Sequence, residues 1–338
     1  MKRRRLGKTG LSVSEICLGT MTFGNMADEA ASIAILDKAF SAGIDFLDAA
    51  ELYPVPPNAE WAGRTERIVG KWLKGRARDS VVIATKVAGP GGGWFVPPVR
   101  GGRTALDRHH IERAVDASLT RLGTDYIDLY QTHWPEPDLP IDATLEGLAR
   151  VIEAGKVRYV GCSNENAYGL TQALYVSKYE GLPRYETIQN NFSLLNRRFD
   201  DELANVCRRE HVSLLPYSPI GGGVLSGKYQ NGAWPERARF SGYRAGGPRT
   251  EVMTRRFIND KTLGTTARVM QLAVELGVSP VAFSVAWTLS RDYVGSTIVG
   301  ATTVAQLDEL LKGAEVTLPA AALEAVDKVS REILYPMG

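Results

Sequence analysis

The sequence predicts a (β/α)8 barrel, the TIM-barrel form of an α/β fold, with an N-terminal β-hairpin plug and a C-terminal helix. Short apolar runs alternate with amphipathic helical patterns along the 338 residues. Strands separated by helices pair in parallel through right-handed crossovers. Because eight such units are present, we expect a closed barrel, with an open doubly wound sheet as the structural alternative.

The eight predicted strands are short apolar runs bounded by turn signals. They cover residues 16–20, 44–48, 81–86, 126–132, 157–163, 187–190, 213–217 and 297–300. The clearest helix follows Asp107, a good N-cap, and stops at Gly123, a natural C-cap. Its apolar face consists of Ile111, Ala114, Val115, Ser118, Leu119 and Leu122. Another helix carries Leu145, Leu148, Val151 and Ile152 on one stripe and stops at Gly155.

Four further features decorate the predicted barrel. Residues 5–14 alternate and turn, which indicates a small hairpin that plugs the barrel bottom. Residues 89–102 are rich in Gly and Pro and predict a loop, and residues 221–248 predict a longer, basic loop. A last helix, at about 320–331, is expected to pack outside the barrel. Because no internal repeat or low-complexity linker divides the chain, we interpret residues 1–338 as one domain.

Composition excludes several classes of protein. With 44% hydrophobic and 23% charged residues, the chain is typical of a globular protein with a large core. Its net charge of +2 gives no electrostatic case for nucleic acid or an anionic membrane as partner. Residues 2–5 are basic, but no apolar stretch of signal-peptide or membrane-helix length occurs. Three scattered cysteines, without metal-like spacing, indicate a reducing, cytoplasmic location and no metal.

Four side chains at successive strand ends form the most informative set in the sequence. Asp48, Lys86 and His133 lie at the carboxyl ends of predicted strands two, three and four, and Tyr53 follows strand two. Active sites of (β/α)8 barrels lie at this face, and adjacent strands are about 4.8 Å apart. Each residue alone has an ordinary structural explanation, such as a cap, a loop contact or a core histidine. Their order on consecutive strands predicts one proton-handling cluster.

The chemistry of these groups suits carbonyl reduction. We expect a lysine cation to favour the tyrosine phenolate and lower the phenol's pKa, and an aspartate to hold that lysine charged. A neutral histidine then orients a carbonyl oxygen. The result is a proton donor aimed at an oxygen that becomes negative.

Later strand ends carry groups suited to a nicotinamide cofactor. Ser163 and Asn164 end strand five, Gln189 ends strand six, and Tyr217 offers a ring for stacking. The glycine-rich loop at residues 218–228 exposes backbone N–H groups and a lysine to a pyrophosphate. It is not a P-loop, because Tyr229 stands where Ser or Thr holds magnesium. No G-x-G-x-x-G follows the first strand, so we expect a dinucleotide to lie across the barrel mouth.

From residue 5 to beyond residue 310, the chain resembles the aldo-keto reductases. The resemblance rests on Leu18-Gly19-Thr20-Met21, the segment from Asp48 to Tyr53, Ala84-Thr85-Lys86, and the runs at residues 125–133, 155–164 and 298–303. The segments at residues 50–57 and 189–197 are similar to the bacterial Tas-like branch, which is related to potassium-channel β subunits.

The resemblance implies roles for individual residues. Asp48, Tyr53, Lys86 and His133 would be the catalytic tetrad, with Tyr53 as general acid. Implied cofactor contacts are Ser163, Asn164, Gln189, Tyr217, Ser218, Leu225, Gly227, Lys228, Arg239, Gly300, Thr302, Gln306 and Glu309. Many family members have an arginine near the position of Gln306 that binds the 2′-phosphate of NADP, and this chain has none there. Because Lys228 and Arg239 supply positive charge, we favour NADPH over NADH.

The predicted function is reduction of a small-molecule aldehyde or ketone by hydride transfer from NADPH. Met21, Phe23, Trp94 and Trp134 are candidates for the wall around the substrate, with the loop at residues 89–102 above it. One alternative is a redox-sensing, channel-β-like binding subunit with slow reductase chemistry. Another is a Schiff-base lyase that uses Lys86. The sequence does not specify the physiological carbonyl, the oligomeric state or the direction of reaction.

Overall fold

The protein forms a closed barrel of eight parallel strands in a computed structural model that describes residues 1–91 and 96–337. The barrel strands are β3 (Ile16–Gly19), β4 (Phe46–Asp48), β5 (Val82–Val87), β6 (Ile127–Thr132), β7 (Val157–Ser163), β8 (Tyr185–Gln189), β9 (Ser213–Leu214) and β10 (Thr297–Val299). Their spatial order follows the chain from β3 to β9, and β10 pairs with β3.

Backbone hydrogen bonds close the barrel between its last two strands. The N–H of Gly295 donates to the carbonyl of Leu214 at 2.8 Å, and the N–H of Ile298 donates to the carbonyl of Pro216 at 2.9 Å. These bonds leave no open edge between β9 and β10. The predicted (β/α)8 barrel is therefore confirmed, and the open doubly wound sheet is excluded.

Helices surround the barrel. They are α1 (Glu29–Ser41), α2 (Arg64–Leu73), α3 (Arg108–Leu122), α4 (Ile141–Glu153), α5 (Ala167–Glu180), α6 (Leu203–Glu210), α7 (Arg239–Ala245), α8 (Pro248–Phe257), α9 (Asp260–Glu275), α10 (Pro280–Leu289), α11 (Val304–Leu311) and α12 (Ala320–Glu332). Within residues 1–91 and 96–337, no single helix is long and apolar enough to cross a membrane; α9 and α10 pass that test only as a pair bent by 92°.

Local capping explains why α3 has the predicted bounds. The side chain of Asp107 accepts a hydrogen bond from the backbone N–H of His110 at 2.9 Å, which satisfies one of the first-turn donors. Gly123 adopts the left-handed region, with φ of 65°, and ends the helix. α4 ends at Glu153, and Gly155 follows it with φ of 71°.

The N-terminal hairpin closes the bottom of the barrel, as predicted. Its strands, β1 (Arg3–Arg5) and β2 (Ser12–Ser14), pair antiparallel. Between and along them, Leu6, Leu11 and Val13 are buried. They pack against inward-facing barrel residues, namely Cys17, Phe46, Ala84, Leu129, Leu215 and Ile298. Burial of each large aliphatic side chain stabilises the folded state by about 1.5–3 kcal/mol, which holds the hairpin against this end of the barrel.

One prediction about the long basic segment was wrong. Residues 221–248 were expected to be a loop, but they contain the 3-10 turn Gly221–Ser226 and the helix α7. α7 is stabilised by Phe240, whose ring lies 4.9 Å from that of Phe257 on α8. At the other end of the chain, α12 packs on α9 through the buried side chains of Ala322, Val326 and Val329, as predicted.

Candidate active site

Three of the four candidate catalytic side chains meet at the Lys86 ammonium. Its Nζ donates to Asp48 Oδ2 at 2.6 Å, to the carbonyl oxygen of Ala49 at 2.8 Å and to Tyr53 Oη at 3.4 Å. The His133 ring packs edge-on against the Tyr53 ring, with centroids 5.6 Å apart. All four side chains are buried. The structure thus brings the predicted cluster together.

Backbone bonds beyond the strand ends hold this cluster in place. The sheet ladder continues through Ala49 N–H, which donates to the Ala84 carbonyl at 2.8 Å. His133 N–H donates to the Val87 carbonyl at 3.0 Å, which fixes the residue next to β5. Tyr53 N–H donates to the Ala50 carbonyl at 3.1 Å, so a tight turn returns the phenol over Lys86.

Burial dominates the electrostatics of the phenol. Burial raises the pKa of Tyr53 above its ordinary value, and the positive charge of Lys86 lowers it by less than burial raises it. The expectation that Lys86 makes the phenol more acidic overall is therefore corrected: Lys86 acts in the predicted direction, but desolvation outweighs it. Tyr53 consequently keeps its proton at neutral pH.

Lys86 is charged and His133 is neutral in this site. Burial lowers the pKa of Lys86, but the combined effects of Asp48 and Tyr53 outweigh burial and raise it, so Lys86 stays cationic. Burial, reinforced by the Lys86 charge, lowers the pKa of His133 well below its ordinary value. The imidazole is therefore neutral, as expected. Its Nδ1 is buried and has no hydrogen-bond partner among the described residues.

Two glutamine amides support Asp48 from the barrel interior. Asp48 Oδ1 accepts from Gln189 Nε2 at 2.8 Å and from Gln131 Nε2 at 3.3 Å. Gln131 Oε1 in turn accepts from Gln189 Nε2 at 3.3 Å. The sequence analysis did not identify Gln131. Its signal was a polar residue two positions before His133 in an apolar strand, a spacing that puts alternate side chains on one face.

A second buried ion pair, also missed, joins the following loop to the site. Glu51 Oε2 accepts from Arg100 Nη1, and Arg100 Nη2 donates to the Ala88 carbonyl at 2.8 Å. Glu51 Oε1 accepts from the Ala88 N–H at 2.6 Å. Burial raises the pKa of Glu51 and outweighs the opposing effect of Arg100. This pair anchors residue 100, in the predicted loop at residues 89–102, to Glu51, which stands two residues before Tyr53 in the chain.

The predicted nicotinamide contacts lie beside the cluster. Asn164 Nδ2 donates to the His133 carbonyl at 2.9 Å, and Asn164 Oδ1 accepts from Tyr217 Oη at 2.8 Å. Ser163 Oγ donates to the Gln189 carbonyl at 2.7 Å. Burial raises the pKa of Tyr217 to about 12, so its hydroxyl is a donor at neutral pH. The ends of β7, β8 and β9 therefore present these groups next to His133.

The glycine-rich loop turns through several residues with positive φ. The loop includes Leu225, which is buried, and Ser218 and Gly227, which both adopt positive φ. Gly223 has φ of 100°, and a Cβ there would lie 2.8 Å from Lys228 Nζ, so the lysine occupies space that only glycine leaves.

Lys228 of this loop lies close to Arg239, the first residue of α7. Burial lowers the pKa of Lys228, and the nearby Arg239 lowers it further. Neither cation takes part in an ion pair with a carboxylate of the described residues. The expected exposed N–H groups are largely engaged, because those of Gly221, Gly223, Leu225 and Gly227 donate to carbonyls of the loop itself. The two adjacent cations remain as charged donors that suit a pyrophosphate or phosphate. The residues present therefore fit the phosphates of a dinucleotide.

The predicted adenosine contacts gather at the start of α11. Gln306 Oε1 accepts from the Thr302 N–H at 2.9 Å and from Thr302 Oγ1 at 3.0 Å. Gly300 is exposed just before them. Glu309 is instead engaged by Lys312 Nζ at 2.6 Å, and that hydrogen bond lowers its pKa. Thr302 and Gln306 thus form one polar cluster, with Glu309 one turn further along the helix.

The predicted substrate wall divides into different environments. Trp134 is half-buried and stacks on His133, with ring centroids 6.2 Å apart. Met21 packs on the cluster that includes Ala50 and Tyr53. Phe23 is completely buried in the main core, so it offers no accessible surface to a substrate. Trp94 lies outside the described residues.

Comparison with known proteins places the chain in a family. The Aldo/keto reductase family matches residues 15–331. The protein Tas of Escherichia coli is 39% identical, over 99% of each chain. The versiconal hemiacetal acetate reductase of Aspergillus parasiticus is 32% identical, over 94% of each chain. A probable voltage-gated potassium channel subunit beta from Oryza sativa is 32% identical, over 97% of this chain and 95% of the other.

The family match agrees with the barrel fold. The matches also confirm the predicted branch, since Tas and channel β subunits are both among the relatives. The chain belongs to the Aldo/keto reductase family and is an NAD(P)H-dependent oxidoreductase.

Proposed function

We propose that this protein reduces an aldehyde or ketone to an alcohol with NADPH, and that Tyr53 is the general acid. The observation that carries this proposal is the Lys86 ammonium, which donates to both Asp48 and Tyr53 beside a neutral His133. When bound, the reduced nicotinamide supplies hydride to the carbonyl carbon. The chain's own residues manage the charge that develops on the oxygen.

Each member of the cluster has a defined task in this proposal. A neutral imidazole has one N–H, with which His133 holds and orients the carbonyl oxygen. As that oxygen becomes negative, Tyr53 Oη transfers its proton to it. Lys86, 3.4 Å from Tyr53 Oη, then stabilises the phenolate, and Asp48 keeps Lys86 charged. Because the site is buried, these interactions are stronger than they would be in water.

The raised pKa of Tyr53 is compatible with this role. A phenol that keeps its proton in the resting enzyme is ready to donate it at neutral pH. The proton moves only when the substrate oxygen becomes more basic than the phenolate that Lys86 stabilises. Positioned general acids contribute about 10²–10⁴-fold to rate.

Replacing Tyr53 by Phe tests the assigned acid. We expect Tyr53→Phe to bind NADPH with unchanged affinity and to lose about 10²–10⁴-fold in turnover, because only the hydroxyl is removed. The assay follows the absorbance of reduced nicotinamide over a panel of aldehydes and ketones. Tyr168→Phe, at a tyrosine that is 73% exposed, is the matched control. Turnover equal to that of the control would exclude Tyr53 as the acid.

The preference for NADPH rests on Lys228 and Arg239. Both cations are available near the glycine-rich loop, whereas the helix start at Gln306 has no arginine. We expect Arg239→Gln to raise the Kd for NADPH about tenfold and the Kd for NADH much less, since a charged hydrogen bond contributes about 1.5–3 kcal/mol. Cofactor fluorescence titration measures both constants, with the exposed Arg237→Gln as control. Equal losses for the two cofactors would contradict a role in NADPH preference.

The substrate belongs to the small carbonyl compounds that the family reduces. We propose that Met21 and Trp134 face it, with the loop anchored by Arg100 above it. We further propose a cytoplasmic enzyme made of one barrel domain, residues 1–338. Support for a reducing compartment comes from Cys17, Cys162 and Cys207, which are buried and unpaired as disulfides.

A channel-β-like binding subunit with slow reductase chemistry is the second candidate. It is favoured by the 32% identity to the probable potassium channel subunit of Oryza sativa. Turnover separates the two candidates: ordinary enzymes reach about 1–10³ s⁻¹. Tight NADPH binding with turnover far below this range for every carbonyl would support the binding subunit.

The Schiff-base alternative fits the site less well. A nucleophilic lysine must be neutral, and Lys86 is held cationic between Asp48 and Tyr53. Borohydride trapping of substrate on Lys86 without nicotinamide would support a lyase instead.

A further inference from the structure

Gln131 is a fully buried polar side chain at the centre of the barrel that no step described above uses. We propose that Gln131 is a positioning residue that couples Gln189, the predicted nicotinamide contact, to the Asp48–Lys86–Tyr53 proton-transfer chain. This inference rests on the proposed function, because it takes Gln189 to be a contact of the nicotinamide cofactor. Four observations support it.

The first observation is a closed set of hydrogen bonds. Gln131 Nε2 donates to Asp48 Oδ1 at 3.3 Å, and Gln131 Oε1 accepts from Gln189 Nε2 at 3.3 Å. Gln189 Nε2 also donates to Asp48 Oδ1 at 2.8 Å. Each amide nitrogen therefore meets an acceptor, and Gln131 acts as donor to one neighbour and acceptor to the other. A side chain with only one of these capacities cannot replace it.

The second observation concerns the direction of the Gln189 amide. Its nitrogen is turned toward Asp48 and Gln131, and no hydrogen bond with the described residues engages its Oε1. An amide oxygen without a partner of its own is the acceptor that the N–H2 group of a carboxamide requires. By accepting from Gln189 Nε2, Gln131 opposes rotation of that amide and keeps the oxygen available.

The third observation is the space around the side chain. Gln131 pairs with Lys86 on one neighbouring strand and with Gly161 on the other. A Cβ at Gly161 would lie 2.2 Å from Thr187 Oγ1 and 3.4 Å from Gln131 Cγ. The glycine therefore leaves room mainly for Thr187, and the Gln131 side chain packs at ordinary contact distance beside the same position.

The fourth observation is the surface beneath Gln131. Leu129, two residues earlier on the same strand, belongs to the apolar cluster formed with the hairpin plug. If Asp48 Oδ1 loses one of its two glutamine donors, this apolar layer offers no polar group to replace it. The polar side chains of Asp48, Gln131 and Gln189 thus depend on one another.

These contacts link cofactor and acid in both directions. A carboxamide held by Gln189 steadies the amide that supports Asp48 Oδ1, while Asp48 Oδ2 holds Lys86 and Lys86 contacts Tyr53. Coupling between two bound groups is reciprocal in free energy. Loss of Gln131 is therefore expected to weaken cofactor binding and proton transfer together.

A double-mutant cycle with Gln131→Met and Gln189→Met tests this coupling. Methionine keeps length and volume but removes donor and acceptor. We expect each single variant to raise the Kd for NADPH at least threefold and to lower kcat about tenfold. The double variant is expected to be no worse than Gln189→Met alone, since the two residues act through one contact. Additive losses, or an unchanged Kd in Gln131→Met, would overturn the proposal.

Gln131→Glu supplies a readout that a purely structural role would not change. A protonated glutamic acid can donate to Asp48 and accept from Gln189, but the ionised form cannot donate. Burial and the Asp48 charge raise the pKa of the new carboxyl, while Lys86 lowers it; Tyr53, His133 and Cys17 are the other titratable groups nearby. NADPH affinity is expected to approach that of the wild type at low pH and to fall as pH rises through this pKa.

Controls separate the possible failures. Thr288→Val removes a buried hydroxyl bonded to Thr297, and is expected to lower stability without changing the Kd for NADPH. A wild type that binds no NADPH would overturn the proposed function and this inference with it. If the wild type binds and oxidises NADPH, but the NADPH affinity of Gln131→Glu depends on pH in the same way as that of the wild type, only the role of Gln131 is overturned. If Gln131→Met does not fold, the Gln131→Glu profile decides.

Discussion

Replacing Lys86 by Met, alone and together with Asp48→Asn, should separate the effect of the buried ion pair on stability from its effect on catalysis. The Nζ atom lies 2.6 Å from Asp48 Oδ2 and 3.4 Å from Tyr53 Oη, and all three groups are buried. Removing it leaves the Asp48 carboxylate buried without its cation. Breaking a buried pair in this way typically costs about 3–5 kcal/mol of unfolding free energy.

The catalytic effect follows from the second distance. At an effective dielectric constant of about 20, unit charges 3.4 Å apart interact by about 5 kcal/mol, which is the upper limit of what Lys86 contributes to a Tyr53 phenolate. Because about 1.4 kcal/mol corresponds to a factor of ten in rate, we expect Lys86→Met to lower kcat by up to about three and a half orders of magnitude.

The double variant Asp48→Asn/Lys86→Met distinguishes the two effects. It removes both charges, and the asparagine oxygen can still accept from Gln189 and Gln131, so stability should return close to that of the wild type. Turnover should remain low, because no cation faces the phenol. Chemical unfolding and stopped-flow loss of reduced nicotinamide measure the two quantities. Wild-type turnover in Lys86→Met, or a double variant as unstable as the single one, would refute this reasoning.

Two further predictions concern buried titratable groups. Because the pKa of His133 is held well below its ordinary value of about 6.5, the unfolded chain takes up a proton that the native chain does not as pH falls below about 6.5. The unfolding free energy should therefore decrease as pH is lowered through that range. His133→Asn should weaken this pH dependence in urea titrations, and an identical dependence of unfolding free energy on pH in both proteins would contradict the prediction. Arg100→Met should cost about 3–5 kcal/mol by leaving Glu51 buried without its partner, and should change KM for the carbonyl more than Kd for NADPH. Glu51→Gln/Arg100→Met should recover most of the stability, and no recovery would argue against the ion pair as the cause.

The barrel was predictable because its signals are local. Each strand is a short apolar run, and the observed bounds of β7 match the prediction at both ends. The caps of α3, Asp107 and Gly123, likewise act within one helical turn. Where the prediction overran, in residues 213–217, the strand β9 contains only Ser213 and Leu214. Pro216 has no N–H to donate, which shortens the regular ladder.

The missed elements depend on contacts distant in sequence. α7 lacks a strong apolar periodicity of its own, and its Phe240 packs on Phe257 and Tyr229. The ion pair between Glu51 and Arg100 spans 49 positions. No local pattern indicates either pairing, because the residues around one partner do not specify which distant residue it will contact.

The candidate site also combines features set by local sequence with features set by contacts distant in sequence. The sequence by itself determined the barrel, its polarity and the strand ends at which Asp48, Tyr53, Lys86 and His133 stand, because strand period and helix caps are properties of neighbouring residues. Only the tertiary structure decided that burial outweighs Lys86 at the Tyr53 phenol, and that Gln131 and Gln189 share one carboxylate oxygen. Desolvation and hydrogen-bond partners are set by what the folded chain packs around a group, and that information is absent from any short stretch of sequence.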